Sequence, residues 1–313
     1  MTNIAILGGA GFIGRRVVKM LANEGVDVVS LDVADAGWVE REGVRARSQL
    51  LDVSNFEDVI RAFATIKPEV VMNLGYVRET YPREAFNVNV LGMDNCFEAA
   101  RLCDVRHVIY ASSIAVNGRQ AQYGDRAIRE TDATFPTYQY AVHKVFNEWQ
   151  ASEYRMKHGM CITGIRVAHA AAPGKLVGAV DHVRCIAEPA AGNPIELDFF
   201  DKRRCVVHVD DIARVFYKIA EKERPDYDLY NTGGETLSLG EIAGMVRDVV
   251  PDARITFREE TGGDAGSVAY RFDNSRLREE FGISYPPYRE TVQKMIAEVR
   301  GLPARSPSAE ANH

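Results

Sequence analysis

The first half of the chain alternates short apolar runs with segments of helical periodicity. Apolar runs occupy Ile4–Leu7, Val26–Leu31, Val44–Ala46, Glu69–Leu74, His107–Ala111 and Cys161–Val167. Between them, apolar positions recur at three- and four-residue spacing near Phe12–Asn23, Asn55–Ile66, Arg83–Cys103 and Pro136–Lys157. Near-continuous apolar strands alternating with amphipathic helices predict an α/β fold with a doubly wound parallel sheet covered on both faces.

After Val167 the pattern changes. Pro173, Gly174, Gly178, Pro189, Gly192 and Pro194 break the chain into shorter pieces. A strand pattern returns at Cys205–Val209 and again near Tyr227–Asn231, with a helix at Asp210–Lys222 between them. Helical patterns follow near Ser238–Val249, Asn274–Phe281 and Tyr288–Arg300. The organisation expected is a first domain over 1–167, rejoined by 205–231, and a smaller interleaved C-terminal α/β lobe for substrate over 168–302. The Pro-, Ser- and Ala-rich stretch 303–313 is expected to be a disordered tail.

Composition narrows the function classes. The 313 residues are 46% hydrophobic and 26% charged, enough for a sizeable core. A net charge of −6 without a basic stripe argues against a nucleic-acid partner. No apolar run reaches membrane-spanning length, and the N-terminus reads as a strand rather than a signal peptide. The five cysteines form no C-x-x-C pair, which suits reduced thiols in a cytoplasmic protein and makes a structural zinc site unexpected.

Residues 8–14, Gly8-Gly9-Ala10-Gly11-Phe12-Ile13-Gly14, join the first strand to the first helix. Glycines here permit a tight turn and a close backbone approach to a pyrophosphate, while the helix N-terminus offers free N–H groups to the phosphates. Asp32 ends the second strand, 21 residues after Gly11, where a carboxylate accepts hydrogen bonds from ribose and repels a 2′-phosphate. Strand, turn, helix and acid together read as a Rossmann-type dinucleotide site favouring NAD over NADP. Gly8, Gly11, Phe12, Ile13, Gly14, Asp32 and Leu74 are candidate cofactor contacts. Asp52 and Val53 are candidates for the adenine edge, although Asp52 or Ser54 serves equally well as a cap for the next helix.

Tyr140 and Lys144 stand four apart on a helical segment and share a face. A free tyrosine has a pKa of ~10, so to act as a base near neutrality it needs about 4 kcal/mol of help from adjacent positive charge. Lys144 and an oxidised nicotinamide ring supply such charge. Ser113 follows the fifth strand, at the carboxyl edge where doubly wound sheets bind ligands, and its hydroxyl can hold a reacting oxygen. Ser113, Tyr140 and Lys144 are the candidate catalytic set, with Tyr140 and Lys144 also facing the cofactor.

These motifs make the chain resemble the extended short-chain dehydrogenase/reductase superfamily, in its NAD-dependent epimerase/dehydratase group, up to about residue 300. The resemblance rests on Gly8–Gly14, Asp32, Asn89-Val90-Leu91-Gly92, Ser112-Ser113 with Val116 and Gly118, and Tyr140 to Lys144. It continues in Arg204 ahead of Val207-His208-Val209-Asp210-Asp211. It implies Tyr140 as general base, Lys144 on the nicotinamide ribose and Ser113 on the reacting hydroxyl. It also implies Arg204 on a substrate diphosphate, and a homodimer built on the helices of 89–103 and 140–157.

Departures from the family pattern touch the substrate. Ile114 and Ala115 replace the acidic pair of 4,6-dehydratases, so dehydration has no acid. Gly75-Tyr76 replaces a small pair, and His169 stands where sugar-nucleotide enzymes carry Asn. Tyr76 and His169 therefore join Ser113 and Arg204 as candidate substrate contacts, His169 as an anion ligand or a plain hydrogen-bonded pocket histidine. Tyr230-Asn231-Thr232-Gly233-Gly234 with Ser238–Val249 also looks like the L-threonine dehydrogenase branch. Three functions stay open. One is an NAD-dependent epimerase or oxidoreductase of a sugar or sugar nucleotide. Another is a dehydrogenase of a small free hydroxy compound, a sugar acid or threonine-like amino alcohol, that releases NADH. The third is a non-catalytic dinucleotide sensor.

Overall fold

A computed structural model describes residues 3–77, 81–263 and 268–301. The tail expected at 303–313 lies outside the described residues. The chain divides into two compact units, one comprising Met1–Ala170, Cys205–Thr236 and Ser267–Tyr285, the other Ala171–Arg204, Leu237–Gly266 and the described residues from Pro286 on.

The first unit carries a seven-stranded parallel sheet. Its strands are β1 (Asn3–Leu7), β2 (Asp27–Asp32), β3 (Arg47–Leu50), β4 (Val70–Asn73), β5 (His107–Ser113), β6 (Ile162–Val167) and β10 (Leu229–Asn231), in the order β10-β6-β5-β4-β1-β2-β3. This is the Rossmann-type doubly wound order. Its direction of winding reverses between β1 and β4, which pair from Ile4↔Val70 to Leu7↔Asn73. Crevices for ligands open at such a reversal, outside the carboxyl ends of the strands.

Side-chain alternation builds two cores on this sheet. Ile4, Ile6, Val70, Met72 and Ile109 join Val17, Val18 and Leu21 of α1 (Phe12–Asn23) and Val215, Phe216 and Ile219 of α8 (Val209–Glu221). Ala5, Leu7, Val71, Val108 and Tyr110 join Val59 and Phe63 of α3 (Phe56–Ile66) and Cys96 and Phe97 of α5 (Gly92–Leu102). Odd and even strand positions thus serve opposite faces, so the strand sequences are apolar throughout.

Some elements differ from the sequence pattern. The third strand is at Arg47–Leu50, not Val44–Ala46, because it is the sheet edge, where three of its four residues are exposed and no apolar run is needed. The helix expected over Arg83–Cys103 is α4 (Pro82–Phe86), one π turn over Asn87–Leu91, and α5.

In the second unit, α7 (Asp181–Ala190) forms despite Pro189, which occupies the last turn. It packs with α9 (Leu239–Val249), α11 (Tyr288–Gly301) and a parallel pair, β8 (Ile195–Phe199) with β12 (Ile255–Glu259). The short strands β7 (His169–Ala171), β9 (Arg203–His208) and β11 (Glu235–Ser238) form a sheet in the order β11-β9-β7. The remaining helices are α2 (Trp38–Arg41), α6 (Gln139–His158) and α10 (Ser275–Phe281).

Candidate active site

The glycine turn lies at the point where the winding reverses. Gly8 has φ +77°, and a Cβ there would come within 2.7 Å of the Gly75 nitrogen and 2.8 Å of the Leu74 carbonyl carbon. Only a glycine lets the ends of β1 and β4 meet. Leu74 is fixed at the same junction, its N–H donating to the Leu7 carbonyl across 2.9 Å. A Cβ on Gly14 would overlap the Gly8 carbonyl, so that residue lets α1 close down on the turn. Gly11 caps α1 without a side-chain hydrogen bond, leaving the first-turn amides of Phe12, Ile13 and Gly14 uncapped by any side chain. This is an anion cradle of backbone N–H groups with the positive end of a helix dipole behind it.

Asp32 is tied to that cradle. Its two oxygens accept the Ala10 and Ala34 N–H groups, each across 3.0 Å, and each oxygen retains lone-pair capacity for a ribose hydroxyl. Arg15, the cation of the first helical turn, is already engaged. It donates to the Ala10 carbonyl at 2.8 Å, to Asp35 at 3.0 Å and to Glu42 at 2.6 Å, and its guanidinium lies 4.9 Å over the Trp38 ring. Two carboxylates therefore neutralise this guanidinium beside the cradle. Asp35, Glu42 and Trp38 were not singled out from the sequence, where they read as ordinary surface residues of a loop and short helix.

Asp52 accepts from the Ser54 N–H and hydroxyl, at 2.9 and 2.7 Å. Neither residue caps α3. Asn55 does, because its side chain reaches the Glu57 N–H at 3.1 Å. Val53 is wedged beneath α5: a Cβ on Gly92 would meet its Cγ2 at 2.7 Å, and its carbonyl accepts from Asn95 across 2.9 Å.

The second half of the site stands on α6. Lys144 is buried and its Nζ donates to the Ala111 carbonyl of β5 across 2.7 Å. The same ammonium lies 5.6 Å from the centre of the Tyr140 ring, one helical turn earlier. Burial lowers the Lys144 pKa to about 8, against the opposing pull of Glu148. Ser113 lies two residues past Ala111 on the same strand; its Oγ accepts the Ala115 N–H across 3.2 Å and caps a short turn over Ile114–Asn117.

Glu148, which sequence reasoning passed over, anchors this helix face. Its carboxylate receives Arg166 of β6 bidentately, at 2.8 Å on each oxygen, and the Ser112 hydroxyl at 2.6 Å. Spacing offered one hint, since Glu148 follows Lys144 by four and continues the Tyr140 face.

Two further tyrosines flank Tyr140. Tyr76 meets it edge-on with ring centroids 4.8 Å apart, and Tyr138 stacks at 6.1 Å. The Tyr76 segment is held by Asn89 of the π turn, whose amide exchanges hydrogen bonds with the Val77 N–H and carbonyl at 3.0 and 3.3 Å.

His169 is buried with Nδ1 3.2 Å from the Cys205 carbonyl, so that nitrogen carries the proton. Arg204 belongs to the second unit, where its guanidinium is bidentate on Asp181. Among the described residues, no group of three or more His, Cys, Asp or Glu is arranged to hold a metal ion, and no helix is long and apolar enough to cross a membrane.

The sequence model of the NAD-dependent epimerase/dehydratase family matches residues 4–233. The chain belongs to that family. A UDP-glucose 4-epimerase of Mycolicibacterium smegmatis is 29% identical over 293 residues, covering 88% of this chain and 91% of its own length. Similar folds occur in the UDP-glucose 4-epimerase of Thermus thermophilus solved with NAD (TM-score 0.82, 24% identity, 96% and 99% of the two chains). They occur also in an L-threonine dehydrogenase of Cupriavidus necator (TM-score 0.84, 22% identity, 94% and 99%). Membership makes the chain an NAD-dependent enzyme of the extended short-chain dehydrogenase type, and the glycine cradle with Asp32 fits that cofactor.

Proposed function

We propose that this enzyme oxidises a secondary alcohol of a sugar or sugar nucleotide, with Tyr140 as the general base. The buried Lys144 ammonium against the Tyr140 ring, anchored to β5 beside Ser113, carries this reading. Bound NAD supplies the acceptor for the hydride that leaves the carbinol carbon. Ser113 holds the substrate oxygen, Tyr140 takes its proton, and Lys144 stabilises the phenolate before that transfer. Gly8, Gly11, Phe12, Ile13 and Gly14 hold the pyrophosphate; Asp32 takes the adenosine ribose, with Asp52, Val53 and Leu74 lining the cofactor. Tyr76 and Tyr138 form an aromatic wall suited to the C–H face of a sugar ring. His169 serves as a hydrogen-bonded pocket residue.

Replacing Tyr140 with Phe is expected to lower turnover by at least about a thousandfold with NAD affinity nearly unchanged. Wild-type turnover in that variant would remove the base assignment, whereas a wild-type protein that binds NAD and turns nothing over would favour a dinucleotide sensor. A second reading, net dehydrogenation of a small free hydroxy compound, is favoured by the commitment of Arg204 to Asp181.

The two units are assigned to cofactor (first) and substrate (second). The enzyme acts as a homodimer: Val142, Phe146 and Trp149 form an exposed apolar stripe on α6, and Phe86 and Leu91 are exposed on the neighbouring segment. Five free cysteines suit a cytoplasmic location.

A further inference from the structure

α6 is held to the carboxyl end of β5 at two consecutive residues. Tyr140, Lys144 and Glu148 follow one another at four-residue steps, so they lie in line along the helix. Lys144 donates to the Ala111 carbonyl across 2.7 Å. One turn further on, Glu148 accepts the hydroxyl of Ser112 across 2.6 Å. Ser112 and Arg166 are register partners across β5 and β6, and both side chains converge on this one carboxylate. Arg166 meets it with Nε on one oxygen and Nη2 on the other, each at 2.8 Å. Glu148 thus joins the ends of two strands to the helix that carries Tyr140. Ser113, the next residue of β5, inherits its place from that joint.

Charge leads to the same residue. Around Lys144, α6 supplies Tyr140, His143 and Glu148, β5 supplies Tyr110, β6 supplies Arg166 and α5 supplies Asp94. Burial pushes the Tyr110 phenol up and keeps it neutral. Burial, and then the Lys144 charge, push His143 below its usual range, so it is a neutral imidazole. Asp94 is engaged farther along α6 by Gln150 and Tyr154, each across 3.3 Å. Glu148 is the anion that favours the Lys144 ammonium against burial. Without its charge, two cations, Lys144 and Arg166, would share one buried region.

We propose that Glu148 is a positioning residue for the oxidation, which sets α6 against the Ala111–Ser113 end of β5 through Ser112 and Arg166 and supplies the counter-charge for the Lys144 ammonium beside the Tyr140 ring. This rests on the reading of Tyr140 as base and adds the residue that acts behind it.

An NMR titration of the full-length protein saturated with NAD tests it, with lysines labelled with carbon-13 at Cε and the Lys144 signal identified by its loss in Lys144→Met. Glu148→Gln keeps the side-chain shape and removes the charge. The Lys144 midpoint is expected to fall by at least about one pH unit, since an anion is lost and a buried guanidinium is left uncompensated. Ser112→Ala keeps the carboxylate and is expected to leave the midpoint in place. The alkaline limb of kcat/KM, read with a UDP-sugar or a free sugar acid, whichever the wild type converts, should move down with the midpoint in Glu148→Gln. A role in helix packing alone would lower stability and leave both in place.

An unmoved Lys144 midpoint in folded Glu148→Gln overturns the proposal, as does a limb that stays at its wild-type pH while the midpoint falls. If Glu148→Gln does not fold, Glu148→Leu with Arg166→Met takes both charges out of the core. A smaller fall of the midpoint in that protein supports the proposal, and no fall overturns it. Full turnover in Tyr140→Phe removes the base reading whatever Glu148 does. Loss of turnover there, with an unmoved Lys144 midpoint in Glu148→Gln, removes only the role of Glu148.

Discussion

The Lys144 ammonium reaches across from α6 to the Ala111 carbonyl, 2.7 Å away, and so holds a buried positive charge beside the Tyr140 ring. Burying that charge costs stability. Its folded pKa, near 8, lies below the ordinary 10.5. The unfolded chain therefore binds more protons between these values, and stability rises as pH climbs from about 8 to about 10.5. At neutral pH the buried ammonium costs on the order of 3 kcal/mol. Lys144→Met should raise the melting temperature at pH 7 while removing turnover, a result read by calorimetry and NADH assay. A lower melting temperature would mean that the Ala111 hydrogen bond outweighs the burial cost.

The same shift sets a pH profile. Lys144 loses its charge as pH rises through about 8, and the phenolate loses its neighbour. An alkaline limb of kcat/KM near pH 8 is expected, displaced upward in Lys144→Arg because a guanidinium stays charged. An identical limb in both proteins would assign it to another group.

Glu148 and Arg166 form the pair that fixes α6 to β6, with side chains only 14% and 3% exposed. Glu148→Gln leaves a buried guanidinium without its counter-charge, which costs about 3 kcal/mol. Urea denaturation should show this as a lower midpoint at unchanged slope. Ser112→Ala, which removes one neutral donor from the same carboxylate, should cost about 1 kcal/mol.

Cofactor preference is expected to depend on negative charge at two places. Asp32→Ala should lower the NAD-to-NADP affinity ratio at least about tenfold, equal to about 1.4 kcal/mol. Adding Asp35→Asn and Glu42→Gln frees Arg15 for a 2′-phosphate and should shift the ratio further. Fluorescence titration with both dinucleotides reads it, and an unchanged ratio in the triple variant would deny Arg15 any part.

Trp149 is 66% exposed on the apolar stripe of α6. Trp149→Glu should convert a dimer to monomer in sedimentation experiments at micromolar protein. A wild-type monomer would dismiss the homodimer outright.

Local pattern carried much of the first unit. The bounds of α1, Phe12–Asn23, coincide with the apolar periodicity, and the glycine turn stands where the strand-to-helix junction put it. These features depend on neighbours in sequence, so spacing and backbone chemistry suffice to read them. Edge strand β3 was displaced because an exposed strand needs no apolar run. β8 was passed over although Ile195 and Leu197 alternate with Glu196 and Asp198, a five-residue signal too short beside the flanking prolines and glycines.

Residue types and their chemical potential were legible from one dimension: a phenol and an ammonium one helical turn apart, a carboxylate at a strand end, an arginine ahead of a strand. Which charges remain available was not. Arg204 is silenced by Asp181, 23 positions earlier, Arg15 by Asp35 and Glu42, and Arg166 by Glu148. Such pairings arise only when separate elements pack, since Coulomb attraction and hydrogen bonding act over a few ångströms of space irrespective of distance along the chain.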